Sequence, residues 1–272
     1  MLRALRTEGW VSKFIIKRDL AAVIGTCVAA GLGVYNNLRK EHEEAGLTLN
    51  KTKAGAASLG SAFSVLSSQM EALEASGRVI QMDDDYYITA MRERIGKGLS
   101  KYIANEPIPA SWRIVDVERA FPDHGNARPD LVVRDDLGLA VIDWKSKVEL
   151  KSYYKSKTLQ EYANSFQQYH YAWAGGQVYG EPIHRYYIGL LVIEPFSIDL
   201  VPYEVNPETL ALWEQSSKQV WQDMAAEDRG ERLPWLSDKH ADNFGTCDYY
   251  DACFNYRFDE ELMRQKYIKE AR

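Results

Sequence analysis

One stretch constrains this chain more than any other: "RPDLVVRDDLGLAVIDWKSK", from Arg128 to Lys147. Two runs rich in Leu, Val and Ile flank Asp135-Asp136-Leu137-Gly138, and Asp and Gly supply the turn chemistry of a β-hairpin. If Asp136 and Leu137 form the loop, Asp135 pairs with Gly138. Counting outward then sets Asp130 directly opposite Asp143. Strand side chains alternate between two faces, so Asp143 and Lys145 share one face while Ile142 and Trp144 take the other. Opposed residues hold their Cβ atoms about 4.5 to 5.5 Å apart, and like charges there destabilise a sheet unless something answers them. A divalent cation would answer them. A one-residue slip would reverse the faces. Because Val141 and Ile142 are adjacent apolar residues, periodicity leaves that slip open, along with solvated strand ends as the ordinary fate of aspartates.

The rest of the chain is ordinary for a globular protein. With 272 residues, 46% of them hydrophobic, it can bury a substantial core as one domain or as a core with an attached lobe. The net charge of −6 argues against a uniformly basic nucleic-acid coat. A local basic stretch exists all the same: Lys145, Lys147, Lys151, Lys155 and Lys157 fall within thirteen residues, interleaved with Tyr153 and Tyr154. Met1 to Arg18 is basic without an apolar core and cleavage site. Ala21 to Tyr35 is shorter than the ~20 apolar residues of a transmembrane helix, so a buried helix and no membrane partner are expected. The three cysteines, Cys27, Cys247 and Cys253, do not make a secreted disulfide framework; a reducing, cytoplasmic compartment is expected.

The pattern predicts helices over Arg18 to Glu44, Ala56 to Ser76 and Tyr86 to Ala104, with breaks near Gly46 to Lys53 and at Gly77. Ser111 to Phe121 alternates as a strand, and the hairpin adds two more. After a lysine-rich connection, Leu159, Tyr162, Ala163, Phe166, His170 and Trp173 recur at helical spacing, and Gly175-Gly176 closes that pattern. His184 to Glu194 and Ser197 to Glu204 read as strands around Pro195. Asn206-Pro207 reads as an N-cap with proline at the first helical position, opening a helix toward Glu227. The expected division is an N-terminal helical region, residues 1–105, packed on a core of residues 106–272 with C-terminal helices.

At this point the residues carry a resemblance. Pro129-Asp130, then Asp143-Trp144-Lys145, then Gln167-x-x-x-Tyr171 resembles the PD-(D/E)xK nuclease superfamily, and within it the RecB-type exonucleases, including phage and CRISPR-associated members. The "GxxD … (D/E)YK … QxxxY" series of that branch is matched in order by "ARPD … DWK … QQYHY", with Ala127 where the branch often has glycine. The matching region runs from Ser111 to Glu204, about a third of the chain. The resemblance implies an α/β fold with a mixed sheet, a restriction-endonuclease-like core of helix-β-β-β-helix-β order, and DNA as substrate.

Phosphodiester hydrolysis needs a nucleophilic water near neutral pH and stabilisation of charge on the phosphate and leaving oxygen, which one or two divalent metals supply. Asp130, Asp143 and the carbonyl of Trp144 are the expected ligands of Mg²⁺ or Mn²⁺, since Mg²⁺ prefers oxygen ligands and retains waters. Lys145 would orient or help deprotonate the attacking water. Otherwise a lone D-x-K on a strand is a surface ion pair. Gln167 and Tyr171 are four apart and share a helix face; the resemblance places such a pair beside the catalytic centre, while the bland alternative is the polar edge of an amphipathic helix. Glu118 is either a metal-linked acid, as in many relatives, or an exposed strand carboxylate. Many relatives carry a metal-binding His after a Gly-Thr-like pair, whereas Gly25-Thr26-Cys27-Val28 is followed by Ala29. Glu41, His42 and Glu43 are the nearby substitutes, with helix-surface charge as their ordinary role.

Some relatives bind a four-iron cluster through four cysteines. One thiolate is missing here, so no iron-sulfur cluster is expected. A zinc site completed by His240 has an unusual spacing, and ordinary buried cysteines fit better. Lys147, Lys151, Tyr153, Tyr154, Lys155 and Lys157 follow the expected site, where a backbone needs neutralising charge and bases can stack on rings; taken alone, such a stretch is a solvated loop.

Neither a G-x-x-x-x-G-K-[ST] loop, a G-x-S-x-G elbow nor an H-E-x-x-H helix occurs. A helicase partner, like a recombinase or single-strand-binding protein, must therefore be another chain. The reading is a metal-dependent DNA exonuclease of recombination, repair or phage DNA processing. The alternatives are an inactive nuclease-fold DNA-binding or assembly subunit and a restriction-type endonuclease.

Overall fold

The computed structural model describes residues 10–12, 14–15, 17–76, 79–80, 84–125, 127–163, 165, 167–228, 241–242, 245–246 and 267–269. Contacts group the chain into two compact units. One comprises residues 1–20, 68–84 and 219–272; its described strands are short pairs, Trp10–Ser12 with Tyr267–Lys269, Phe14–Ile15 with Val79–Ile80, and Ala241–Asp242 with Gly245–Thr246.

The other unit, residues 21–67 and 85–218, contains the main sheet. Three helices precede that sheet in sequence: α1 (Lys17–Glu44), α2 (Lys51–Ala75) and α3 (Asp84–Asn105). Gly46 follows α1 with a φ of 66°, a left-handed conformation that glycine adopts without a Cβ penalty. Asn50 caps α2 by accepting the Lys53 N–H at 3.0 Å. By length and composition, Leu20–Glu44 could cross a membrane. In the fold its apolar face is buried, with Val23, Ile24, Cys27, Val28, Leu32 and Tyr35 in the core. Close packing explains one of its glycines: a Cβ on Gly31 would lie 2.5 Å from Leu99 of α3.

Five strands follow: β1 (Arg113–Val117), β2 (Leu131–Arg134), β3 (Leu139–Glu149), β4 (Ile183–Glu194) and β5 (Ser197–Glu204). They lie in the order β1-β2-β3-β4-β5, antiparallel except for the parallel β3–β4 pair. A parallel pair needs a crossover, supplied by α4 (Ser152–Ala163) and α5 (Gln167–Tyr179). The result is the mixed-sheet, restriction-endonuclease-like α/β architecture that the resemblance implied.

The hairpin register is the one set by the turn residues. Asp135 N–H donates to Gly138 C=O at 3.0 Å, and the ladder runs from Arg134↔Leu139 to Leu131↔Ile142. Asp135 Oδ1 also accepts the Leu137 and Gly138 N–H groups at 2.8 and 3.2 Å, which fixes the loop locally. Gly138 has a φ of 138°, so its place requires glycine. Alternation was weak because both faces are covered. Val132, Val141, Tyr186 and Ile188 pack with Tyr171, Ala172 and Ala174 of α5, while Leu131, Val133, Ala140, Ile142 and Tyr187 form the opposite layer. A one-residue slip would turn Asp143 and Lys145 into that apolar layer, and an unpaired buried charge is costly.

Four readings need correction. Ser111 to Phe121 is a strand only over Arg113–Val117, with a register irregularity between Ile114 and Asp116, and Glu118 lies just beyond it. The lysine-rich segment is no loop: β3 runs to Glu149 and α4 begins at Ser152. The helical repeat from Leu159 to Trp173 is divided between α4 and α5, and Phe166 lies outside the described residues. Gly175-Gly176 does not end α5. A Cβ on Gly175 would lie 3.0 Å from Ile183, so this glycine permits close helix-strand packing, and Gly180, with a φ of 70°, follows the helix end. The N-cap reading holds in α6 (Pro207–Asp228), where Asn206 Oδ1 accepts the Glu208 and Thr209 N–H groups at 2.8 and 3.0 Å. Any further C-terminal helix falls on residues 229–272, which lie outside the described residues apart from the short strands above.

Candidate active site

Asp130 precedes the first residue of β2, and Asp143 and Lys145 alternate along β3, so the hairpin register alone places all three on the α5 face. Asp130 Oδ2 accepts the Trp144 N–H at 2.6 Å. Lys145 Nζ lies 2.5 Å from Asp143 Oδ2 and donates to Gln167 Oε1 at 2.9 Å. Gln167 Nε2 in turn donates to the Tyr171 hydroxyl at 2.7 Å. Gln167 and Tyr171 therefore work from one face of α5 on the lysine of β3.

The electrostatics are those of two acids sharing one corner. Burial, followed by the Asp143 charge, pushes Asp130 up to about 7, against the pull of the Trp144 N–H and Lys145. Tyr171 is pushed up to about 12, first by burial and then by Asp143, so its hydroxyl stays protonated. Beneath the pair, Tyr186 is buried, and burial followed by Asp143 holds its pKa far above the ordinary range.

Glu118 adopts a φ of 47°, unusual for a residue with a Cβ. Its N–H donates to the Asp130 carbonyl at 2.9 Å, and its charge is among those raising Asp130. Arg128 holds it in place, donating through Nε to the Glu118 carbonyl at 3.2 Å and pairing with the Glu118 carboxylate. On α1, Gly33 leaves the space: an added Cβ would lie 3.0 Å from Glu118 Oε1. Neither Arg128 nor Gly33 was singled out from the sequence. Arg128 adjoins the Pro-Asp motif, which was its one local signal; Gly33 had none. Tyr162 was likewise read only as part of a helical stripe, yet Lys145 and Lys147 both place Nζ 5.6 Å from its ring centre.

The lysine-tyrosine stretch divides in two. Lys147 stays at the site edge on β3, whereas Tyr153, Tyr154, Lys155 and Lys157 ride on α4, with Lys151 just before it. Lys155 pairs with Asp199 at 2.6 Å and Lys157 faces Glu161 at 3.9 Å. The Gly25-Thr26 pair does reach β3, since a Cβ on Gly25 would lie 3.2 Å from Ser146 Oγ. Of the proposed substitutes for the missing His, Glu43 pairs with Arg39 at 2.7 Å and His42 Nδ1 lies 2.8 Å from the Leu38 carbonyl. Both engage their own helix. Cys27 is fully buried, and burial raises its pKa to about 11, which suits an inert thiol. Cys247, Cys253 and His240 lie outside the described residues.

Asp143 Oδ2 is buried and has no aligned hydrogen-bond donor among the described residues. No group of three or more His, Cys, Asp and Glu side chains suited to a metal occurs among them either. Two close carboxylates nevertheless fit a hard divalent cation that keeps several waters and takes a further ligand from substrate phosphate.

Strands β2 and β3, crossed by a helix that aims an amide at their lysine, define a nuclease-type α/β core. The profile of the PD-(D/E)XK nuclease superfamily matches residues 17–254, and the chain belongs to that superfamily. Comparison with curated proteins gives no match.

Proposed function

We propose that the protein is a metal-dependent deoxyribonuclease of the RecB-type branch, an exonuclease that hydrolyses phosphodiester bonds at DNA ends. The observation that carries this reading is the continuous chain Asp143–Lys145–Gln167–Tyr171 beside Asp130. Asp130, Asp143 and the Trp144 carbonyl would hold Mg²⁺ or Mn²⁺, with Glu118 behind them. The cation supplies Lewis acidity toward water and phosphate. Lys145 offsets phosphate charge and orients the attacking water. Gln167 steers the Lys145 ammonium, and Tyr171, which stays protonated, steers Gln167.

Lys147, Lys151, Lys155, Lys157, Tyr153 and Tyr154 are assigned to the DNA surface leading to this centre. Recombination, repair or phage DNA processing in the cytoplasm is the setting, with a helicase, recombinase or single-strand-binding protein as a separate partner. Incubation of end-labelled linear DNA beside closed circular DNA, with Mg²⁺, Mn²⁺ or EDTA, tests the reading. An exonuclease degrades only the linear form and stops in EDTA. Cleavage of circles would make it a restriction-type endonuclease, and no cleavage with either metal would leave a nuclease-fold DNA-binding or assembly subunit.

A further inference from the structure

Lys145 and Lys147 project from β3 on the face that carries Asp143, about 7 Å apart along the strand. Both are half-buried, and two ammonium groups on one face repel each other. One ring answers both. Nζ of Lys145 and Nζ of Lys147 each lie over the Tyr162 ring, 5.6 Å from its centre, within the range at which an aromatic face attracts a cation. Tyr162 stands in the last turn of α4, half-buried, and packs against the core layer that includes Tyr171, Tyr186 and Ile188. The core therefore holds the ring, and the ring holds the lysines.

The contacts of Lys145 differ in kind. Asp143 and Gln167 meet its ammonium through oxygen atoms, at 2.5 and 2.9 Å, whereas Tyr162 meets it through a π face. Oxygen is what a hard cation seeks, so a metal on Asp143 would weaken that carboxylate's hold on the ammonium. The ring face is no ligand for such a cation, and its hold persists. We propose that Tyr162 is a positioning residue for Lys145, its ring face keeping the ammonium beside Asp143 and Gln167. The proposal rests on the nuclease reading and adds a residue to its site.

Changing the electrons of the ring at constant shape tests it. Tyr162→Phe keeps the π face and should retain cleavage, while Tyr162→Leu should lower the single-turnover rate at saturating DNA by about tenfold, the loss of one half-buried cation–π contact. Stepwise fluorination of the Tyr162→Phe ring withdraws electrons from its face, and cleavage should fall with each step while urea unfolding stays unchanged. A readout without metal or DNA is the NMR signal of the Lys145 ε-methylene in isotope-labelled protein in EDTA, identified by its loss in Lys145→Arg. Ring currents should hold it upfield of ordinary lysines in the wild type and in Tyr162→Phe, and Tyr162→Leu should release it. Cleavage indifferent to fluorination, Tyr162→Phe as slow as Tyr162→Leu, or a Lys145 signal indifferent to the ring would overturn the proposal. Failure of the nuclease reading looks different: the wild type would not cleave with either metal while the Lys145 signal still followed the ring, which removes the catalytic role and leaves the contact established.

Discussion

Asp130 accepts a 2.6 Å hydrogen bond from the backbone N–H of Trp144, the residue between Asp143 and Lys145. This bond ties the Pro-Asp motif to the D-x-K motif through the backbone, so the hairpin register and the spacing of the acids are one property. Anything that shifts β3 by a residue dismantles the site as well as the sheet.

The shared corner predicts a pH signature in metal-free protein. Asp130 is raised above its ordinary value to about 7 by burial and then by Asp143. Its contribution to stability is therefore fully present below the ordinary carboxylate range and is lost as pH rises through about 7. Asp130→Asn removes that loss while keeping an oxygen for Trp144. In EDTA its melting temperature should gain on the wild type from pH 4 to 8, and thermal scans across that range check it; a constant difference would contradict the assignment.

Gln167 and Tyr171 should be unequal in effect. Gln167→Leu breaks the bond to Lys145, whereas Tyr171→Phe leaves that bond in place and removes only its support. Both variants should melt near the wild type. Single-turnover cleavage should fall by about 100-fold for Gln167→Leu, at the lower end of what a positioned proton-transfer group contributes, and by less for Tyr171→Phe. The reverse order would place Tyr171, not Gln167, nearest the chemistry.

Glu118 is predicted to act through metal affinity. Glu118→Gln keeps the shape that fits between Arg128 and Gly33 but removes the charge. The Mg²⁺ concentration for half-maximal cleavage should rise by about 10- to 100-fold, the usual cost of losing a group that supports metal ligands. Arg128 is exposed, and exposed ion pairs contribute only about 0 to 1 kcal/mol, so Arg128→Met should hardly change the melting temperature.

Gly189 stands opposite Trp144 in the β3–β4 ladder, and an added Cβ would lie 2.2 Å from the indole ring. Gly189→Ala should cost about 1–3 kcal/mol through overpacking. Urea unfolding measures it, and adding Trp144→Leu should recover part of the loss. Without such recovery, the strain would not lie at the indole.

The hairpin, its turn and the acid-lysine face were legible because each is local: Asp135 and Gly138 set the loop, and strand alternation did the rest. The Asn206-Pro207 helix start was legible for the same reason. Tertiary packing hid other features. Gly175 reads as a stop signal until Ile183 is seen filling the place of its Cβ. The lysine-rich stretch reads as a loop because nothing local shows Tyr162 drawing Lys145 and Lys147 together. Arg128 and Glu118 meet only because the chain doubles back through the bridge between Phe121 and Ala127. Long-range pairings of that kind leave no period in the sequence.

The central claim is that Lys145, placed between Asp143 and Gln167, serves phosphodiester cleavage. The most direct test is single-turnover degradation of end-labelled linear DNA in Mg²⁺ by the wild type and by Lys145→Ala, with the unfolding of both followed in parallel. The account predicts metal-dependent degradation by the wild type and its loss in a variant that still unfolds cooperatively. Undiminished cleavage by folded Lys145→Ala would contradict it.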